Sequence, residues 1–192
     1  ITVNAVNDAP VNTVSGAVSG NEDTAISIAT NSIADIDDTS LTAVTISSTQ
    51  SGTFSLVGVS GLNFAGGAGD GTADNTMTFS GSIADINTAI ATITWTSAAH
   101  DHTNAVLTIL SNDGDDTDSD TVAITVNSVN DVPVNTVSGA VSGNEDTAIS
   151  IATNSIADAD HTSLTAVTIS STQSGTFSLA GVSGLTFAGG GG

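Results

Sequence analysis

The chain has no lysine, no arginine and no cysteine in 192 residues. Without cysteine no disulfide can staple the fold, and thiol chemistry is excluded. Without lysine, Lys–Asn isopeptide cross-links are excluded as well, and a trypsin-like protease finds no site to cut. Twenty carboxylates face no fixed cation, and with the three histidines neutral the formal charge is −20. Such a chain repels nucleic acid and acidic membrane surfaces, and no internal salt bridge can relieve it, so a cation from outside must neutralise part of the charge. Aromatic residues make up 3% of the chain against 39% hydrophobic overall, so the core must be built from small aliphatic and β-branched side chains. No run approaches the roughly 18 continuous apolar residues of a membrane span. The first residues do not read as a signal peptide, which says little if the chain is an internal piece.

What is present is a repeat. Set at an offset of 123, residues 1–69 and 124–192 differ at only seven of 69 pairs: Ala5/Ser128, Ala9/Val132, Ile36/Ala159, Asp38/His161, Val57/Ala180, Asn63/Thr186 and Ala68/Gly191. The chain therefore holds about one and a half copies of one unit, as an excerpt from a longer tandem array would. Each copy begins at a short, proline-stiffened linker, Asp8 to Pro10 and Asp131 to Pro133. Residues 1–8 then read as the last strand of a preceding repeat, 9–131 as a complete repeat, and 132–192 as the N-terminal half of the next. That half lacks a counterpart of residues 70–123 and is not expected to close alone.

Most of the repeat alternates Thr or Ser with an aliphatic residue, the period-two pattern of half-buried strands. Ile26 with Ile28, Val44 with Ile46, Phe54 with Leu56, Leu62 with Phe64, Met77 with Phe79, Ile93 with Trp95, Leu107 with Ile109, and Val122 with Ile124 and Val126 each fall on one face. Seven or eight short strands separated by Gly, Asn, Asp and Ser clusters predict an all-β fold of sandwich type. One segment departs from the pattern. In "SIADINTAI", residues 82–90, Ile83, Ile86 and Ile90 recur at helical spacing behind Ser82, with Asp85 placed for a capping box, which predicts a short helix crossing between sheets. The glycine run at 66–71 reads as a flexible loop or hairpin tip, since it lacks the lysine and following helix of a phosphate-binding loop.

The acids cluster at the linkers. Asp8, Glu22 and Asp23, and Asp35, Asp37 and Asp38 belong to the first copy; Asp131, Glu145 and Asp146, and Asp158 and Asp160 belong to the second. Five more crowd residues 113–120 as Asp113, Asp115, Asp116, Asp118 and Asp120. If strands run alternately up and down, the 113–120 hairpin and the 35–38 loop share the end near the incoming linker at Asp8, and Glu22 lies at the opposite end near the outgoing linker. Two carboxylates about 5 Å apart repel by roughly 3 kcal/mol at an effective dielectric near 20, so converging acids push neighbouring domains apart. A hard divalent cation reverses the sign, and Ca²⁺, which accepts about six to eight oxygens without strict geometry, is the expected one.

"VNDAP" and "VNDVP", each followed by "NEDT", the early acidic "DxD", the segment "GSIADINTAIATITW" and a late "NDG" together span the unit. In this combination the chain resembles the cadherin-like tandem repeats of giant bacterial surface proteins, RTX-type adhesins and VCBS-type arrays among them. The resemblance implies Ig/cadherin-like β-sandwich repeats arranged end to end, stiffened by calcium, extracellular and displayed at the cell surface. It further implies that Glu22, Asp131, Asp158 and Asp160 hold the ions of one junction, and Asp8, Asp35, Asp37 and Asp113 those of the other. Four residues, at three places of the repeat, depart from the family pattern. Asn4 and Asn127 stand at the first linker acid, His161 stands where the first copy has Asp38, and Gly71 breaks the calcium-binding nonapeptide pattern.

Each acid also has a plainer role. Linker acids cap turns, the 113–120 run keeps a hairpin soluble with only Asp113 and one of Asp115 or Asp116 near a metal, and Asp85 caps a helix. His100, Asp101 and His102 have spacing suited to a transition metal, but two histidines on a loop without a fixed third ligand read as loop. With no motif that positions a histidine beside a nucleophile, and no cationic group, catalysis is not expected. The expectation is a structural extender whose partners are adjacent identical repeats, with neighbouring chains of a filament as a further class. The alternative is a sandwich that itself binds a glycan or an identical chain.

Overall fold

A computed structural model of the chain describes residues 1–2, 4, 6–64 and 68–187. It divides into two compact units, Ile1–Asp160 and His161–Gly192. The first unit is rich in strands and carries one short helix. In chain order come β1 (Val11–Thr13), β2 (Val18–Asn21), β3 (Ile26–Ser27), β4 (Ser32–Ala34), β5 (Ser40–Ser48), β6 (Gly52–Ser55), β7 (Thr76–Ser82), α1 (Ile83–Ile90), β8 (Thr94–Ser97), β9 (Ala105–Asn112) and β10 (Thr117–Asn127). They form a five-stranded sheet ordered β2-β10-β9-β5-β7, a three-stranded sheet ordered β3-β8-β6, and the pair β1-β4. All pairings are antiparallel except β2 with β10.

Alternation decides which side chains enter the core. Along β10, Val122, Ile124 and Val126 are buried while Thr121, Ala123 and Thr125 are exposed. In β5 strict alternation would put Leu41 on the opposite face from Val44 and Ile46, yet all three are buried. An irregularity in the β5–β7 register between Leu41 and Val44 re-phases the strand and makes this possible. The helix starts where a local signal places it: Ser82 Oγ accepts from the Asp85 amide at 3.2 Å and donates to Asp85 Oδ2 at 2.6 Å. Its buried face carries Ile86, Ala89 and Ile90, with Ile83 packed at the margin. Phe54, Met77, Phe79, Trp95, Leu107 and Ile109 join these in a single cluster drawn from both larger sheets and the helix.

Two expectations about strands need correction. Among the described residues ten strands, rather than seven or eight, lie between residues 11 and 127. Leu62 to Phe64 is not a strand: a turn closed by the Leu62 amide on the Val59 carbonyl leaves only Asn63 to pair, in an isolated bridge with Ser80. Of the glycine run, Gly66 and Gly67 lie outside the described residues. Its remainder turns around Asp74, whose Oδ2 accepts from the amides of Asp70, Gly71 and Thr72.

The second copy shows what the first depends on. β11 (Val134–Thr136) pairs with β12 (Ser155–Ala157) in the same register as β1 with β4. Beyond that pair, no strand or helix follows among the described residues. Ile46 is fully buried, whereas Ile169, at the same place in an identical local sequence, is 53% exposed. Phe54 and Phe177 differ in the same way. The core cluster that holds Ile46 and Phe54 also draws Met77, Phe79, Ile86, Ile90, Trp95, Leu107 and Ile109, all from the stretch 70–123 that the chain contains once. At the other end, Ile1 is exposed and residues 1–8 show no strand among those described, whereas their counterparts Ile124 and Val126 are buried in β10.

Candidate metal centres

One cluster forms around the first linker. Asp35, directly after β4, folds the chain back on its own carboxylate, with Oδ1 accepting from the amides of Asp37 and Asp38 at 2.9 and 2.8 Å. Asp113, directly after β9, does the same for the amides of Asp115 and Asp116 at 2.8 and 2.7 Å. These are Asx turns, which aspartate forms readily because its side chain substitutes for a backbone carbonyl. The linker binds to both. Asn7 donates to Asp113 Oδ2 at 3.1 Å, and the Asp8 amide donates to Asp37 Oδ2 at 2.8 Å. One oxygen each from Asp35, Asp38 and Asp113 lie within 4.8 Å of one another. Asp35 Oδ2 is buried and has no hydrogen-bond partner among the described residues. The amide of Asp116, then the side chain of Asn7, hold the Asp113 carboxyl below the usual carboxylate range.

A second cluster forms where β10 leaves the sheet. Glu22 is 2% exposed, and its Oε1 accepts from the Val129 amide at 2.8 Å. Its Oε2 is buried without a partner among the described residues. Asp23 follows in the left-handed conformation, φ 57°, and its Oδ1 accepts from the His100 amide at 3.0 Å. The His100 Nδ1 lies 2.6 Å from Asp131 Oδ2 and 3.5 Å from Asp23 Oδ2. The hydrogen bond with Asp131, then its charge, raise the His100 pKa, with smaller contributions from Asp23 and Glu22. The Asp131 amide in turn donates to Asp160 Oδ2, and the Asp160 amide donates to Asp158 Oδ1 at 3.0 Å.

Comparison of the chain with protein-family models, with curated proteins and with solved structures finds no match.

Of the acids singled out in the sequence, Asp35, Asp38 and Asp113 come together, with Asp8 and Asp37 bonded beside them. Asp23 and Asp131 meet at His100, with Glu22 buried next to Asp23, and Asp158 and Asp160 lie next to Asp131 through the bond from its amide. Asp115 is exposed and only gives its amide to Asp113. Glu145 and Asp146 are exposed and belong to no such group among the described residues, whereas Glu22 at the equivalent place is buried under the end of β10. Two further participants are not acids. The loop that carries His100 is shaped by Asp101, which accepts from the Thr103 amide at 2.9 Å, and His100 meets acids 77 and 31 residues away. Asn7, which no spacing in the sequence marks out, bonds to both Asp113 and Asp116.

Proposed function

We propose that the chain is part of a tandem array of cadherin-like β-sandwich repeats that takes up Ca²⁺ at its linkers and acts as a stiff extender of an extracellular, cell-surface adhesin or filament. The observation that carries this reading is the buried, unpartnered Asp35 Oδ2 beside Asp38 and Asp113, in a chain with no lysine or arginine. A buried carboxylate oxygen without a donor is costly unless a cation shares the site. The donors around it are all oxygens, held in Asx turns that leave outer oxygens free, which suits a hard ion of flexible coordination. Asp8, Asp37, Asp38 and Asp113 would complete this set. By the same logic Glu22, Asp131, Asp158 and Asp160 would serve the following junction. The shared core of the five- and three-stranded sheets supports the sandwich reading. No helix among the described residues is long and apolar enough to cross a membrane.

Repeats of this kind bind calcium at roughly 10⁻⁴ to 10⁻³ M, so the array would stiffen only where calcium is plentiful. The test is a calcium titration followed by calorimetry, thermal melting and small-angle scattering. Binding in that range, with a rise in Tm that D35N reduces, supports the reading. An unchanged melting curve and scattering profile at millimolar calcium would refute it. Saturable binding on a glycan array, or concentration-dependent self-association, would instead favour an adhesive module.

A further inference from the structure

We propose that His100, Asp23 and Asp131, with Glu22 behind them, form a transition-metal site of Zn²⁺ type that is distinct in chemistry from the all-oxygen calcium cluster. The donor set is the first argument. An imidazole nitrogen with two carboxylates suits borderline ions such as Zn²⁺, whereas calcium takes oxygens. The spacing is the second. Ligands of a tetrahedral ion with bonds of about 2.0–2.2 Å sit about 3.3 Å from one another. His100 Nδ1 and Asp23 Oδ2 are already 3.5 Å apart, and the His100–Asp131 contact of 2.6 Å must open by somewhat under an ångström, within reach of side-chain torsions of two groups that are not buried. The ion replaces the proton shared by His100 and Asp131, which passes to solvent.

Independent support comes from Glu22. It is 2% exposed, precedes Asp23 in the chain, and is tied through Oε1 to Val129, two residues before Asp131. Its Oε2 has no partner among the described residues, while its charge acts on the His100 ring. An ion at His100 supplies the positive charge that this oxygen lacks. Asp23 is reached through a β2–β3 turn that also anchors on Ser97 Oγ, and the His100 amide binds Asp23 Oδ1, so two of the three ligands are fixed before any metal arrives. His102 takes no part: it appears in none of the metal-competent groups among the described residues.

The site does not rest on the calcium reading, although Glu22 and Asp131 are shared with it. The probe is ZnCl₂ alone, added to the whole chain in calcium-free buffer near neutral pH. Calorimetry should show binding that weakens at least about tenfold in H100N and persists in a chain carrying both H102N and H161N. Asparagine accepts the left-handed backbone at position 100, φ 59°, so the variant keeps the loop. In the unaltered chain, the ¹⁵N resonance of His100 Nδ1 should move further on adding Zn²⁺, which binds that nitrogen directly, than on adding Ca²⁺, which reaches the ring only through Asp131. D35N should weaken the calcium response by the share of the Asp35, Asp38 and Asp113 cluster and leave the zinc response intact. An identical zinc isotherm for H100N, an unmoved His100 ring, or an equal shift with calcium would each overturn the proposal.

Discussion

Asn7 donates its side-chain amide to the Asp113 carboxylate at 3.1 Å, across 106 residues of chain. Because Asp113 closes the β9–β10 turn and Asn7 sits in the linker, one neutral side chain anchors the entry of the repeat to an acidic hairpin. Its own charge adds nothing to the repulsion there. Around it the carboxylates have no lysine or arginine to answer them, so under the calcium reading proposed above the stability of this end depends on whether an ion is present.

That dependence gives an inversion of sign. Asp35→Asn removes a buried charge that has no partner on Oδ2, and the amide oxygen can still accept from Asp37 and Asp38. In chelator the variant should gain about 1 kcal/mol, or about 2–4 °C in Tm for a chain of this size. In millimolar calcium it should instead melt below the unaltered chain, because a ligand charge is gone. Glu22→Gln should show the same gain in chelator, since the amide oxygen can keep the bond from Val129. Thermal melts in chelator and in calcium check both variants. A loss of stability in chelator would mean that the charge is satisfied by something other than a cation.

The repeated sequence supplies its own control for the core. Ile46→Ala removes a fully buried side chain and should cost about 2–5 kcal/mol, whereas Ile169→Ala alters a side chain 53% exposed and should stay within about 0.5 kcal/mol. Urea unfolding of the two variants makes the comparison. Equal costs would mean that the second copy has found a core.

A glycine pair tests packing from the opposite direction. A Cβ at Gly52 would lie 2.6 Å from both the Trp95 ring and the Thr96 carbonyl, while at Gly175 nothing stands within 4 Å. Gly52→Ala should therefore destabilise by about 1–3 kcal/mol, since the β6–β8 pair must separate or Trp95 must leave its rotamer. Gly175→Ala should be neutral. Urea midpoints measure both, and loss of the buried Trp95 fluorescence environment would locate the damage.

Local signals were legible in the sequence and distant ones were not. The Ser82–Asp85 cap and the Asp35 and Asp113 turns act over two or three residues, so spacing alone reveals them. The long strands β5, β7, β9 and β10 repeat their alternation often enough to be read. The strands β1, β2 and β4 are three or four residues of mixed polarity, too short to show any period. They are held by side chains from elsewhere, as when buried Asn12 donates to the carbonyls of Ile109 and Asp118 and accepts from Ser111. The meeting of His100 with Asp23 and Asp131 depends on how β2, β8 and β10 are placed, and no spacing in the sequence announces that.

The loop that presents His100 offers a pH test that involves no proposed ligand. Bonds from Thr103, side chain first and then backbone, lower the Asp101 pKa below the usual carboxylate value. A group depressed in the folded state adds stability that is present above its unfolded pKa, near 4, and lost as pH falls through its folded pKa. Thr103→Val removes the side-chain donor and keeps the amide bond, so the Asp101 midpoint should rise toward its ordinary value while staying below it. The acid limb of the stability curve should shift to higher pH with it. Carboxyl ¹³C titration by NMR reads the midpoint directly, and an Asp101 midpoint unmoved by Thr103→Val would show that the backbone bond alone sets the loop that carries His100.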